Sequence, residues 1–176
     1  GAAYLLSCGR GVELKGLNPE SCQRDKEIVP LLSEIRTLQG GEIDIDCGNI
    51  PDLAPVLAAA AASCRGVVRL YNIKRLRFKE SDRIKAICET LSALGADISI
   101  SEEGLVICGA DKLHGAVVSS FGDHRIVMAA VVSASAAAET GKFDGELIIR
   151  GAEAVNKSYP GFFTDYKSLG GEIYGL

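Results

Sequence analysis

The hydrophobic pattern of the chain repeats three times, each time with the spacing of an amphipathic helix. Apolar residues stand at positions i, i+3, i+4, i+7 and i+10, and one or two glycines follow each run. This spacing places one apolar stripe along a helix, and a glycine just after it favours a stop because it tolerates a left-handed backbone. The pattern predicts three such helices, each followed by a short strand of alternating residues. The helices are Ile28–Leu38, Ile84–Leu94 and Tyr159–Leu169, and the strands are Glu42–Asp46, Asp97–Ser101 and Glu172–Tyr174.

A second kind of helix accompanies each of these units. It is rich in alanine and apolar on nearly all sides, so it must be buried all round. Alternating strands, in contrast, keep one face towards solvent. The fold class expected is therefore α/β (α+β): three units of β-α-β-α-β type, with buried helices and outer sheets. The apolar helices are predicted over Ala2–Cys8, Leu53–Cys64 and Arg125–Ala138, and the strands that precede the amphipathic helices over Val12–Leu17, Val67–Ile73 and Glu146–Gly151.

Length and composition limit the classes of protein to consider. The 176 residues, 47% of them hydrophobic, are enough for one domain with its own core, residues 1–176. A net charge of −4 gives no reason to expect nucleic acid or an anionic membrane as a partner. The longest apolar runs are too short to span a bilayer, which takes about 20 residues, and no signal-peptide pattern is present.

Cysteine usage predicts thiols rather than a metal site. None of the six cysteines forms a C-x-x-C pair, and neither His114 nor His124 lies at a zinc-type spacing from them. The even number leaves a disulfide framework open, but a chain of this size does not need one. Reduced thiols in the cytoplasm are the favoured interpretation. The cysteines are Cys8, Cys22, Cys47, Cys64, Cys88 and Cys108.

Basic residues cluster at predicted helix starts, where a cation is unfavourable unless an anion lies between it and the helix. Asp123 is predicted to cap the helix that begins with His124 and Arg125, and Lys157 stands just before a start predicted at Ser158, with Pro160 in its first turn. Ser81 or Asp82 can cap the helix after a strongly basic segment. The five cations of that segment are Lys74, Arg75, Arg77, Lys79 and Arg83.

If the repeat brings equivalent helix ends to one face, Arg83, Arg125 and Lys157 converge on one spot. Asp52, predicted to cap the Leu53–Cys64 helix, and Glu80 would lie beside them. Guanidinium groups bind phosphate and carboxylate bidentately, and two carboxylates beside an anion can serve as general acid and general base. The glycines match no nucleotide-binding fingerprint. This predicts chemistry on a small, multiply anionic substrate; each segment taken singly is also compatible with solvated surface charge.

These same segments resemble signature motifs of the 5-enolpyruvylshikimate-3-phosphate synthases. The motifs are residues 77–84 (RFKESDRI), 123–129 (DHRIVMA), 155–160 (VNKSYP) and 49–52 (NIPD), in the family's order and at its separations. The resemblance covers essentially the whole chain. It implies an inside-out α/β barrel domain, the C-terminal, phosphoenolpyruvate-side half of a two-domain enzyme. The implied reaction transfers an enolpyruvyl group to the 5-hydroxyl of shikimate 3-phosphate in aromatic biosynthesis, at the site that glyphosate targets. It implies no metal and no organic cofactor.

The resemblance also implies roles for individual residues. Asp52 is expected to be the proton acceptor and Glu80 the proton donor. Shikimate 3-phosphate is expected to contact Asp52 and Lys79, and also Arg75, although many members of the family have Asn there. Phosphoenolpyruvate is expected to bind Arg83, Arg125 and Lys157, with His124 lining the site.

Further expectations concern the protein as a whole. The chain is expected to be a piece of a longer, monomeric, cytoplasmic enzyme, inactive without its N-terminal domain. Neither nucleic acid nor a membrane is expected as a partner. Two alternatives stay open: a transferase that acts on UDP-N-acetylglucosamine with the same donor and fold, and a non-catalytic module that only binds anions.

Overall fold

A computed structural model of the chain describes residues 18 and 20–175, and within them it forms five α-helices and six β-strands. The helices are α1 Ile28–Thr37, α2 Ala54–Ala61, α3 Arg83–Ala93, α4 His124–Glu139 and α5 Phe162–Ser168. The strands are β1 Gln39–Asp46, β2 Arg65–Tyr71, β3 Asp97–Ile100, β4 Gly104–Cys108, β5 Leu113–Ser119 and β6 Phe143–Arg150. Short 3-10 helices cover Arg24–Glu27, Pro51–Leu53, Lys74–Phe78 and Ala152–Lys157. The predicted helix Ala2–Cys8 and strand Val12–Leu17 lie outside the described residues.

Both sheets contain a pair of parallel strands connected by a helix. In the first, with strand order β1-β2-β4-β3, β1 and β2 are parallel and the other neighbours are antiparallel. The second consists of the parallel pair β5 and β6. Helix α2 connects β1 to β2 and α4 connects β5 to β6, which is the crossover that a parallel pair requires. The equivalent units are therefore β1-α2-β2 and β5-α4-β6.

This pairing corrects part of the predicted repeat, in which Glu42–Asp46 and Asp97–Ser101 were equivalent strands. The first lies in β1, which pairs parallel with β2, whereas β3 pairs antiparallel with β4. Helix α3 is followed by the hairpin β3–β4, but α1 leads into β1 after a single residue, Leu38. Alternating polarity indicates that a segment is a strand, but it carries no information on which strand becomes its neighbour.

The two alanine-rich helices form the centre of the core, as predicted. Seven of the eight residues of α2 are buried, and α4, one of whose neighbours is α2, buries eleven of its sixteen. The β1–β2 sheet keeps a charged outer face, where Arg69 pairs with Glu42 at 2.7 Å and Asp44 at 3.2 Å, while Ile45 points inwards. No helix in the described part of the chain is both long and apolar enough to cross a membrane.

Local signals succeeded at some helix ends and failed at others. Gly95 and Gly170, which follow α3 and α5, take left-handed backbones as predicted. After α1, Gly40 and Gly41 also have positive φ, 86° and 84°, but they lie within β1 and not at the end of the helix. The start predicted near Ser158 was also wrong: the chain first forms the 3-10 helix Ala152–Lys157, and α5 begins at Phe162.

At the C-terminal end, the structure assigns no strand to Glu172–Tyr174. Strands β4 and β5, on the other hand, were not predicted.

Candidate functional site

Three loops that leave neighbouring elements carry the predicted site residues. The loop after β1 carries Asp52 in the 3-10 turn Pro51–Leu53, the loop after β2 carries Lys79 and Glu80 ahead of α3, and the loop after β5 leads into α4. Because β1 and β2 are parallel, their carboxyl ends meet at one edge of the sheet. The packing of α3 against α4 brings the starts of both helices to the same place.

The start of α4 is a tight, capped turn. Phe121 and Gly122 both have positive φ, 52° and 67°, and the left-handed backbone is uncommon for a non-glycine residue. The hydroxyls of Ser119 and Ser120 accept hydrogen bonds of 3.1 Å from the N–H groups of Phe121 and Gly122. Asp123 then caps the helix, as predicted, by accepting the Arg125 N–H at 2.9 Å. This local geometry fixes where the first residues of α4 project.

Arg83 lies at the centre of the site, 1% exposed, at the first position of α3. Its guanidinium donates to three carboxylates: Nη1 to Asp52 at 3.0 Å, Nη2 to Glu80 at 2.5 Å and Nε to Asp123 at 2.7 Å. A buried cation at a helix start is unfavourable unless it is paired. These carboxylates supply that pairing, and two of them, Asp52 and Glu80, are the predicted acid–base residues.

Asp52 also brings the second arginine into the cluster. Arg125 approaches it twice, with Nη2 3.4 Å from its carboxylate and Nη1 donating to its backbone carbonyl at 2.9 Å. The Nζ of Lys79 lies 3.6 Å from the same carboxylate. The prediction that Asp52 caps α2 was wrong: Leu53 occupies the cap position and no side chain caps the helix there. Its carboxylate faces the cations instead.

Lys157 comes close to the cluster from a third element, but it does not pair with its carboxylates. Its Nζ donates at 2.8 Å to the carbonyl of Gly122, the residue before Asp123. Lys157 is exposed at the end of the 3-10 helix Ala152–Lys157. It is thus held against the turn at the start of α4, on the solvent side of the arginines.

The remaining predicted residues lie at the edge of this arrangement. Arg75 donates from Nη2 to the carbonyl of Gly48 and so contacts the loop after β1, not the carboxylate cluster. His124 is 8% exposed, and its Nδ1 lies 4.0 Å from Asp123 and has no hydrogen-bond partner within the described part of the chain. It therefore lines the cluster without pairing within it.

Burial divides the three carboxylates into two kinds. Asp123 is fully buried, whereas about a third of the side chains of Asp52 and Glu80 is exposed. Burial acts to raise the pKa of Asp123, but hydrogen bonds from Arg83, from the Arg125 N–H and from Ser81 outweigh it, so its pKa lies below the ordinary value. Asp123 is therefore ionised near neutral pH, while the other two carboxylates are partly exposed.

The contacts of Asp123 with Arg83 and with the Ser81 hydroxyl at 3.1 Å were not predicted. Asp123 was identified only as a helix cap, because the spacing Asp-His-Arg indicates a helix start. Its partner in the ion pair lies 40 residues away. No local pattern signals such a pairing; only the position of α3 beside α4 creates it.

Taken together, the cluster holds three cations, Arg83, Arg125 and Lys79, against three carboxylates, Asp52, Glu80 and Asp123. The fourth predicted cation, Lys157, is held beside it at the carbonyl of Gly122. Such a site can bind a small anion and keep two half-exposed carboxylates next to it.

Comparisons with known proteins point to one group of enzymes. A family model described as EPSP synthase (3-phosphoshikimate 1-carboxyvinyltransferase) matches residues 16–166. The 3-phosphoshikimate 1-carboxyvinyltransferase of Clostridium kluyveri is 42% identical over 178 residues, covering 94% of this chain and 40% of that protein. The protein of the same name from Clostridium acetobutylicum is 39% identical over 191 residues, covering 98% of this chain and 42% of its own length.

Among solved structures, an EPSP synthase from Acinetobacter baumannii superposes with a TM-score of 0.63 at 30% identity, over 76% of this chain and 30% of that one. The similarity of sequence and of mixed α/β structure confirms the resemblance seen in the motifs. The chain spans about 40% of the length of the curated relatives it matches.

Proposed function

The chain belongs to the EPSP synthase (3-phosphoshikimate 1-carboxyvinyltransferase) family, and from this premise we propose that it is the C-terminal domain, residues 1–176, of such an enzyme. The complete enzyme, meaning this chain together with its N-terminal half, would transfer the enolpyruvyl group of phosphoenolpyruvate to the 5-hydroxyl of shikimate 3-phosphate. Phosphate would be released. The names of the relatives favour this reaction over transfer to UDP-N-acetylglucosamine.

One observation carries the proposal: two arginines from separate helix starts meet at a carboxylate pair. Arg83 donates to both Asp52 and Glu80, and Arg125 lies 3.4 Å from Asp52. A module that only stored charge or bound phosphate would have no use for two half-exposed carboxylates beside its cations. An acid–base reaction on an anion requires such an arrangement.

Phosphoenolpyruvate carries a phosphate and a carboxylate, and three cations would bind it. Arg125 presents a planar guanidinium group that matches either anion bidentately. Arg83 would join it once the ligand displaces Asp52 or Glu80 from its outer donors. Lys157, exposed beside the start of α4, would contact the same ligand from the solvent side. His124, at the first position of α4, would line this wall of the site.

In the proposed reaction Glu80 donates a proton to the methylene carbon of phosphoenolpyruvate, which leaves an oxocarbenium-like centre. The 5-hydroxyl oxygen bonds to that centre and Asp52 accepts the hydroxyl proton. In the tetrahedral intermediate the methyl group then gives a proton back to the Glu80 carboxylate, its C–H electrons form the double bond, and phosphate is expelled. Fixed cations stabilise the phosphate as it leaves. Lys79 lies beside Asp52 and would contact shikimate 3-phosphate; Arg75, which holds the Gly48 carbonyl, would act on this ligand only through its loop.

The principal partner of this chain would be its own N-terminal half, since the chain spans about 40% of its relatives' length. We place the complete enzyme in the cytoplasm as a monomer, where it would serve aromatic amino-acid biosynthesis and be a target of glyphosate. The reaction as written needs no metal or organic cofactor, and neither nucleic acid nor a membrane takes part.

The test is reconstitution. Phosphate release is measured with the chain alone, with its N-terminal half alone and with both, in the presence of phosphoenolpyruvate and shikimate 3-phosphate. We expect release only from the combination, and none when UDP-N-acetylglucosamine replaces shikimate 3-phosphate. Robust turnover by the chain alone would contradict the division of the site between two halves. Release with UDP-N-acetylglucosamine would favour the other transferase.

A further inference from the structure

The inner side of the Arg83 guanidinium is occupied by a residue to which the proposed reaction assigns no role. Asp123 is fully buried, as is Arg83, and their contact, with Nε at 2.7 Å and Nη2 at 3.3 Å from the two carboxylate oxygens, is bidentate. Asp52 and Glu80 hold the outer side, which faces solvent. A buried guanidinium therefore has one permanent counter-ion and two accessible ones.

All the hydrogen-bond acceptor positions of the Asp123 carboxylate are occupied. It accepts from Arg83 twice, from the Ser81 hydroxyl at 3.1 Å and from the Arg125 N–H at 2.9 Å. An ionised carboxylate offers about four lone-pair sites, so Asp123 has none left for a ligand. Groups at the starts of both α3 and α4 hold this carboxylate in place.

These contacts link the two arginines of the site through one side chain. Arg83 begins α3 and Arg125 begins α4, and Asp123 binds the side chain of the first and the backbone of the second. Building on the proposed function, we propose that Asp123 is a positioning residue: it fixes the separation and orientation of Arg83 and Arg125, so that both meet one substrate anion. It does not touch the substrate and transfers no proton.

The chain offers a matched control for this inference. Asp82 caps α3 as Asp123 caps α4, by accepting the Lys85 N–H at 3.2 Å. Its side chain is about one-third exposed and, among the residues that the structure describes, forms an ion pair only with Arg77, at 3.2 Å on the surface. Asp82→Asn thus perturbs a cap next to the same arginine without affecting a buried ion pair.

The test compares Asp123→Asn with Asp82→Asn in the complete enzyme. Asparagine keeps the size but puts an N–H2 group against donors of Arg83 or Arg125. We expect kcat/KM for phosphoenolpyruvate to fall about 100-fold, the scale of a small misplacement of a binding group, while Asp82→Asn stays near wild type. The pH limits of the activity profile should not move, since Asp123 does not titrate during turnover.

A double-mutant cycle with Arg83→Lys separates positioning from general support of the fold. If Asp123 acts through Arg83, then Asp123→Asn should cost little in the Arg83→Lys background. Independent, additive losses would overturn the inference, as would an Asp123→Asn variant with wild-type kcat/KM.

Two further measurements decide the matter if the main variant does not fold or the assay fails. Ser81→Ala removes one hydrogen bond to Asp123 and should lower affinity for phosphoenolpyruvate about fivefold; no change would overturn the inference. Calorimetric titration with phosphoenolpyruvate needs no turnover. If the complete enzyme releases no phosphate, but its Asp123→Asn variant binds phosphoenolpyruvate more weakly than the wild type does, the proposed reaction is refuted and the positioning role is supported. If the wild type binds no phosphoenolpyruvate, both fail.

Discussion

Two arginines in this fold each hold more than one carboxylate, in opposite environments. Arg69 pairs with Glu42 and Asp44 on the outer face of the first sheet, and 38% of its side chain is exposed. Arg83 pairs with Asp52, Glu80 and Asp123, and 2% of its side chain is exposed. The chemical groups are of the same kind, and Arg83 has one carboxylate more, so the main difference between the two clusters is burial.

Burial changes what such a cluster can do. Around Arg69, water and salt screen the charges, so the pairs contribute little to stability and cannot concentrate a ligand. Around Arg83 the charges are largely desolvated, so each missing partner is costly and each interaction with an anion is strong. The first cluster covers an outer sheet face with paired charges, while the second has the arrangement that the proposed site needs.

The largest effect is expected when the buried arginine is removed. Arg83→Ala leaves Asp123 buried without its counter-ion, which should destabilise the domain by about 3–5 kcal/mol and abolish binding of phosphoenolpyruvate. Urea unfolding and calorimetric titration measure the two effects. Arg83→Lys serves as the control that keeps the charge, and it should recover part of the stability but not bidentate binding. Wild-type stability of Arg83→Ala would show that the cluster is not desolvated as the structure has it.

The second-largest effect is expected on turnover and not on the binding of phosphoenolpyruvate. Glu80→Gln in the complete enzyme removes the proposed proton donor but keeps a hydrogen-bond acceptor for Arg83, so kcat should fall about 10²–10⁴-fold with KM for phosphoenolpyruvate largely kept. Steady-state kinetics give both values. Glu103→Gln, which changes an exposed glutamate paired with Lys74, is the matched control. Unchanged kcat in Glu80→Gln would favour a non-catalytic anion-binding module.

How much of this could be predicted from the sequence depended on whether a signal was local. The buried helices α2 and α4 were predictable because an all-round apolar surface has no other stable location. The caps Asp82 and Asp123 were predictable because the partner N–H is two or three residues away.

Partners distant along the chain were not predictable. Asp52 was taken for a cap because Asp is common at that position, whereas its actual partners, Arg83 and Arg125, lie 31 and 73 residues further on. Strand β1 pairs parallel with β2, whereas β3 pairs antiparallel with β4, and this difference likewise depends on tertiary packing. The family motifs, not periodicity, supplied the roles of the site residues.

A smaller effect follows from the lowered pKa of Asp123. A carboxyl group with a depressed folded-state pKa stabilises the fold above its unfolded-state value, 3.8, and loses that contribution as the pH falls through the folded value. The stability difference between wild type and Asp123→Asn should therefore be constant near neutral pH and shrink below 3.8. Urea unfolding at a series of pH values measures it. A difference that grows as the pH falls would contradict the assigned sign.

The smallest effect is expected at the exposed cluster. Arg69→Gln removes both surface ion pairs, and it should leave Tm within about 2 °C of wild type and kcat/KM unchanged. Thermal unfolding at low and high salt checks the first statement, since any small change should vanish with salt. A large, salt-independent loss of thermal stability would mean that exposure does not make the Arg69 ion pairs weaker than those of Arg83.

The most direct test follows the arginines themselves. In the complete enzyme, the Nε–H resonances of Arg83, Arg125 and Arg69 are recorded by NMR while phosphoenolpyruvate is added. If one anion is held between the two helix starts, the Arg83 and Arg125 signals shift together with a single Kd and the Arg69 signal stays still. Separate midpoints for Arg83 and Arg125, or no shift at Arg83, would contradict a shared site.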